Sequence, residues 1–265
     1  MSENFSTFTL SIGIMIRKMK TRPHIPVLLL VLLAAVPLHA QEKYFTPAIP
    51  EVVAPDAEGF IRRWTVLEPI PKPLRTNTVF VDSYLREVFA HPYFKHQMTL
   101  VPKDGEKVKV TFEREVQMPG QPMDFRRMQE PPKMEKATET LRWHKLDSKH
   151  YNFKLMRFGE QESQRLYGVL FWVVTVVDCA EEMVDVRLSV GSNSASQWWV
   201  NGEDVLLLSG DRRMVADDGM SHRLTLTKGE NVIRGAIING PGMSDFCVRI
   251  VDEDGKPLTE GYTIK

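Results

Sequence analysis

The sequence predicts a mainly β protein built as a sandwich or barrel, and three observations carry that expectation. From Leu141 onward, short runs of β-branched and aromatic residues alternate with turn dipeptides, at a spacing that suits strands and not helices. One run, YGVLFWVVTVV at residues 167–177, is continuously apolar, as a central strand covered on both faces would be. Finally, Gln197-Trp198-Trp199-Val200 leads into Asn201-Gly202, a dipeptide that accepts the positive φ angles of a two-residue hairpin, and Asp204 to Leu208 returns from it.

Taken in order, residues 1–40 read as a secretory signal peptide. The apolar run Ile25–Ala40 follows the basic cluster Arg17, Lys18, Lys20 and Arg22. It is interrupted by Pro37 and falls short of the roughly 20 apolar residues that span a bilayer, so cleavage after Ala40 is expected rather than an anchor. The uncharged stretch before Met15 is long for a leader, and translation starting at Met15 or Met19 would remove it. No cysteine ends the run, so a lipid anchor is not expected, and the mature chain should be exported, to a periplasm or beyond the cell. With 34 Lys and Arg against 34 Asp and Glu, the chain predicts neither a nucleic-acid surface nor a polyacidic tail.

Residues 41–59 contain three prolines and little periodicity, which suggests an extended lead-in. Phe60, Arg62, Trp64 and Val66 alternate with Ile61, Arg63, Thr65 and Leu67, a strand that should end at Glu68 before Pro69 and Pro71. Between Thr78 and His96 the spacing of Phe80, Tyr84, Val88 and Phe89 predicts a short amphipathic helix ending before Pro92, with Asp82 or Ser83 as N-cap. Lys103-Asp104-Gly105 separates two alternating runs within residues 98–116, the pattern of a hairpin. Residues 117–139, rich in Met, Pro and charge, read as a long loop. LRWHKLDS and HYNFKLMRF are short strand candidates. MVDVRLSV should turn Val184, Val186, Leu188 and Val190 inward, and HRLTLT, ENVIRGAII and FCVRIVD complete the strands.

Cys179 and Cys247 form an even pair in a chain expected to be exported, which permits one disulfide; buried free thiols are the alternative. Neither has a neighbouring His, so a zinc site built on them is not expected, and His91, His96, His144, His150 and His222 show no ligand spacing.

The order W-V-N-G (Trp199 to Gly202), then Arg212 with the Asp217-Asp218 pair, then L-x-K-G-x-N (Leu226 to Asn231), then F-x-V-R-I-x-D-x-D-G (Phe246 to Gly255), resembles the galactose-binding-like domains. These jelly-roll β-sandwiches accompany many secreted polysaccharide-degrading enzymes. FIRRWTVLEPI resembles their opening strand, usually W-x-V-L-G-P-F, with Glu68 in place of the glycine. The resemblance implies one jelly-roll β-sandwich over residues 60–265, with a short helix and a long loop inserted around 75–140, where the match is poor. It implies a non-catalytic carbohydrate-binding or accessory module whose partner is a carbohydrate or a glycan-degrading enzyme. A structural or protein-interaction module is the alternative, and a glycan hydrolase or esterase with an unrecognised site is a third.

Sugar recognition would use an exposed aromatic ring for stacking, flanked by polar groups that bind hydroxyls. Period two puts Trp198 and Val200 on one face and Trp199 with Gln197 on the other, which makes Trp199 the exposed candidate if Val200 is inward. Packing under a loop or against the inserted helix is its alternative role. Arg212, Asp217 and Asp218 could line a polar site in one loop, or simply anchor that loop by salt bridges, and Asn239, Ser244 and Asp245 could contribute from another. Calcium occurs in many domains of this fold, and Asp252-Glu253-Asp254-Gly255 comes nearest to a binding run, although two Asp before a Gly more often make a turn. No G-x-S-x-G is present; Glu113, Glu115, Asp217 and Asp218 are the carboxylates a glycosidase could use, and no catalytic residue is assigned.

Overall fold

Alternating apolar residues organise nearly the whole of the chain that the computed structural model describes, namely residues 43–71, 81–115, 134–163, 165–210, 212–239 and 243–265. In chain order the elements are β1 (Phe45–Pro47), β2 (Arg63–Leu67), β3 (Ile70–Pro71), α1 (Asp82–Ala90), β4 (Lys107–Glu115), β5 (Met134–Ser148) and α2 (Leu155–Glu162). They continue with β6 (Val169–Cys179), β7 (Met183–Ser192), β8 (Ala195–Val200), β9 (Glu203–Leu208), β10 (Gly219–Met220), β11 (Leu224–Leu226), β12 (Gly229–Ile238), β13 (Phe246–Val251) and β14 (Tyr262–Ile264). The expected leader, its cleavage point and most of the expected long loop lie outside the described residues. None of the described helices is long and apolar enough to cross a membrane.

Two antiparallel sheets form, and the protein is a β-sandwich as expected. The larger runs β1-β5-β2-β6-β12-β8-β9, with β3 and β14 also on β6 and β4 on β5; the smaller places β10, β11 and β13 on β7. Along β6 the odd residues Phe171, Val173 and Val177 face the first core with Trp64, Trp198, Ile233 and Ile237, opposite Leu188, Val190, Val248 and Ile250 of the smaller sheet. The even residues Leu170, Trp172 and Val174 face a second core with Leu85, Val88 and Phe89 of α1, Tyr93 and Phe94 after it, and Val110, Phe112 and Trp143 of β4 and β5. The apolar run thus serves two cores, which is why it shows no polar alternation.

The β8–β9 turn is made by Asn201 (φ 52°) and Gly202 (φ 86°). Asn231, the third residue of β12, locks the turn that leads into that strand: Oδ1 accepts the Thr227 N–H at 3.0 Å, and Nδ2 donates to the Thr227 and Gly229 carbonyls at 2.7 and 3.0 Å. Asp252 likewise uses Oδ1 to accept the N–H groups of Asp254 and Lys256. That run is a turn closed by Gly255 (φ 84°).

Four local expectations are corrected. The helix begins after Val81 with no side-chain cap, so neither Asp82 nor Ser83 is the N-cap. The expected hairpin does not form, because residues 98–100 are held in turns, with the Leu100 N–H on the His96 carbonyl. Instead β4 pairs with β5, from Lys107 opposite Arg142 to Glu115 opposite Met134. HYNFKLMRF is mostly helix: only Phe153 keeps a bridge, to Phe246, and Leu155, Phe158 and Gly159 form the buried stripe of α2. Val184 is exposed, since Asp185 has a positive φ of 56° that breaks the alternation before Val186. Both cysteines are buried and free, Cys179 in the larger sheet and Cys247 in the smaller, so the pair does not form a disulfide.

Trp198 lies opposite Gly235 on β12, and its six-membered ring covers that residue. A Cβ at Gly235 would stand 2.5 Å from Cζ3 of Trp198, a residue of the first core. Gly235→Ala is therefore expected to lower unfolding free energy by roughly 1–3 kcal/mol through overpacking, as measured by urea denaturation.

Candidate functional site

Registers place five segments at one end of the sandwich. Ile238 pairs with Leu170 and with Ala195, Phe246 pairs with Ser192, and Phe153 bridges Phe246. The segments before β6, between β7 and β8, before β13 and before α2 therefore emerge together. The loop at 212–218 joins them, since the Ser194 N–H reaches the Arg212 carbonyl at 3.3 Å.

The expected aromatic platform is absent from this end. Trp199 does lie on the face opposite Trp198, but that face carries the second core, so the residue is only 6% exposed and stacks on Trp172 at 5.7 Å and 16°. The inserted helix reaches over it, with Arg86 of α1 bonded to Asp204, the residue opposite Trp199 on β9. Trp199 is a packing residue and offers no ring to solvent.

The expected loop carboxylates divide into two kinds. Arg212 pairs with Asp218 and also donates to the Ser209 carbonyl, which closes the loop. Asp217 turns to the outer face of the smaller sheet, where both its oxygens meet Arg249 and Oδ1 accepts the Ser189 hydroxyl at 2.5 Å. Arg249 in turn lies over the Phe60 ring at 4.6 Å. Burial acts to raise the Asp217 carboxyl, but the hydrogen bonds from Arg249 and Ser189 outweigh it and hold the group below its ordinary pKa. Both pairs anchor the loop.

Asn239 and Asp245 do come together. Asn239 is fully buried; Oδ1 accepts the Val169 N–H at 3.1 Å, and Nδ2 donates to the Leu166 carbonyl at 2.7 Å and approaches Ser244 Oγ at 3.4 Å. One side chain thus ties the segment before β6 to the loop before β13. Asp245, 4% exposed, receives Asn152 Nδ2 at 3.3 Å on Oδ2, with Lys154 Nζ at 3.5 Å from the same oxygen, while Oδ1 has no partner. Burial pushes its carboxyl above the ordinary range, and Lys154 only partly opposes this. Around it, Lys154 and Arg157 lie over the Tyr44 ring at 5.6 and 5.3 Å, and His150 contacts the same ring.

Sequence reasoning missed the aromatic at this end, Tyr167. It is 55% exposed on the short segment between α2 and β6, next to the Leu166 carbonyl that Asn239 holds. Its signal was Tyr167-Gly168 at the head of the apolar run: Gly168 adopts φ 62°, so the strand starts after it and the tyrosine belongs to the turn.

No family model and no curated protein matches the chain. Among solved structures, the PA14 domain of the MpAFP antifreeze protein is similar at 7% identity and a TM-score of 0.36, covering 83% of this chain and 95% of that one. The GH31 α-xylosidase from Xanthomonas citri is similar at 12% identity and a TM-score of 0.26, over 46% of this chain and 14% of that one. Likenesses this distant bear on neither ligand nor chemistry.

The two aspartates predict opposite pH behaviour. Asp217, with a depressed folded pKa, contributes stability above the unfolded carboxyl pKa of about 3.9 that is lost as pH falls through the folded value. Asp217→Asn should therefore melt lower at pH 7 and lose that deficit in acid. Asp245, with a raised folded pKa, carries a penalty present above that pKa and relieved as pH falls toward the unfolded value. Asp245→Asn should melt higher than the parent at pH 7, with the gap closing toward pH 4; scanning calorimetry at both pH values reads each sign.

Proposed function

We propose that the chain is an exported, non-catalytic carbohydrate-binding or accessory module of glycan utilisation, and that it meets sugar at the loop end of the sandwich. The observation that carries this reading is the join made by Asn239. It holds the segment presenting Tyr167 against the loop containing Asp245, whose Oδ1 is buried and unpartnered. A buried polar atom without a partner costs about 1–3 kcal/mol, and a ligand hydroxyl that displaces the groups covering it and donates to it would recover that cost on binding. An exposed tyrosine ring offers the apolar face on which a pyranose can stack, and Lys154 and Arg157 add donors near Asp245. The export half of the reading rests on the leader pattern of residues 17–40.

A protein-docking module is the second reading, favoured by the exposed apolar side chains Val215 and Met243 on the same group of loops. Glycan-array binding separates the two. The chain should bind at least one polysaccharide, and Tyr167→Ala should weaken that binding about tenfold or more, equivalent to ~1.4 kcal/mol. Trp199→Phe should leave it unchanged. Absence of binding across a broad array, or binding indifferent to Tyr167, would remove the carbohydrate reading in favour of a protein partner.

A further inference from the structure

Away from the loop end, three metal-ligating side chains from three separate elements converge. Glu68 follows β2, His144 lies on β5, and Glu162 is the last residue of α2. Glu68 Oε1 is 3.2 Å from His144 Nε2, and Glu162 Oε2 is 3.6 Å from Nδ1 of the same ring. One donor atom from each residue lies within 4.8 Å of the other two. We propose that Glu68, His144 and Glu162 form a binding site for a divalent transition-metal ion, zinc being the ion their donor set suits best.

The placement is built rather than incidental. The Glu68 N–H donates to the Arg142 carbonyl at 3.0 Å, and the Arg142 N–H returns to Glu68 Oε2 at 3.0 Å. Those two bonds clamp the residue onto β5 and leave Oε1 facing the imidazole. The His144 ring is fixed from the other side by the edge of Phe158, at 5.4 Å and 73°. Its side chain is 15% exposed, against 20% for Glu68 and 33% for Glu162, so the donors are sheltered yet reachable from solvent.

Charge points the same way. Glu162 ends its helix, where the backbone dipole is negative, and no basic residue occupies the last turn. The nearby Arg165 is engaged bidentately by Glu139, at 2.8 and 2.9 Å. Two carboxylates and a helix C-terminus therefore surround a single imidazole. A doubly charged cation complements that set in a way that one histidine cannot.

The chemistry of the donors selects the ion. An imidazole nitrogen with two carboxylate oxygens suits zinc and its neighbours; calcium prefers six to eight oxygens, and copper(I) prefers thiolates. Zinc distances of about 2.0–2.2 Å put tetrahedral donors roughly 3.3 Å apart, the spacing Glu68 Oε1 and His144 Nε2 already have. Glu162, which now stands at Nδ1, reaches the same ion by rotating its part-exposed side chain toward the Nε2 edge. Three protein ligands leave a fourth position for water.

The test uses the mature chain stripped with EDTA. Titration with zinc chloride should show one equivalent bound with a micromolar or tighter Kd, and about 100 μM zinc should raise the melting temperature by ~4 °C or more. His144→Ala and the double variant Glu68→Gln/Glu162→Gln should each weaken zinc binding at least 30-fold, whereas Glu139→Gln should not. Cobalt(II) bound to the parent chain should give visible d–d bands that are lost in His144→Ala. Should a variant fail to fold, the parent's zinc stoichiometry and cobalt spectrum still decide. Absence of a zinc-induced shift, undiminished binding by His144→Ala, or a response to calcium in place of zinc would each overturn the assignment.

Discussion

The requirement that both faces of the β6–β12 pair be covered governs the rest of the structure. Ten consecutive residues pair along these strands, and apolar side chains project from both faces, so one sheet cannot satisfy them. The smaller sheet covers one face. The other is covered by α1, the turns that follow it and the β4–β5 ladder, drawn mostly from the part of the sequence that fits the jelly-roll pattern least well. That insertion is consequently a layer of the core. Its burial of Trp172, Trp199 and Phe112 should contribute more to stability than any surface pair in the molecule.

The cover also has a cost. Arg234 lies on the same face, opposite Trp199 and Val174, and is 3% exposed with Nη1 unpartnered. Burial alone pulls its guanidinium down to about 10. By contrast Arg63, 1% exposed on β2, is satisfied by both oxygens of Asp147 and by the Glu51 carbonyl. Two arginines in similar burial thus differ in whether the fold supplies a carboxylate, and only the paired one follows the ordinary rule for buried charge.

Features set by neighbours along the chain were legible in the sequence, and features set by distant segments were not. The Asn201-Gly202 turn, the Asn231 lock and the central apolar strand follow from local stereochemistry and period two. Trp199 was assigned to the correct face, but whether that face meets water depends on α1, more than 100 residues earlier. The β4–β5 pairing replaced a plausible local hairpin because Gly105 and Glu106 bond to Trp143 across the sheet. α2 replaced an expected strand because Leu155 and Phe158 find a core at helical spacing. Of the expected site, Asn239 and Asp245 could be picked out as polar loop residues. That Asp217 was already committed to Arg249 required the fold, as did the meeting of Glu68, His144 and Glu162.

The division among the aspartates bears on the proposed site. Asp217 and Asp218 have their charges matched by arginines and their loops fixed, so substituting them tests stability. Asp245 is held ionisable in a buried position with one oxygen unsatisfied and a raised pKa, an arrangement that lowers stability without an evident structural return. Among the described residues eight buried side-chain polar atoms lack a partner, and Asp245 Oδ1 is the carboxylate oxygen among them. With one face of each sheet committed to the first core and the other face of the larger sheet to the second, the loop end is where an exposed ring and an unsatisfied carboxylate coincide. On the proposed reading, a ligand group that reaches Asp245 would have to donate a hydrogen bond to it, and an acceptor-only group such as a carboxylate would meet repulsion there instead.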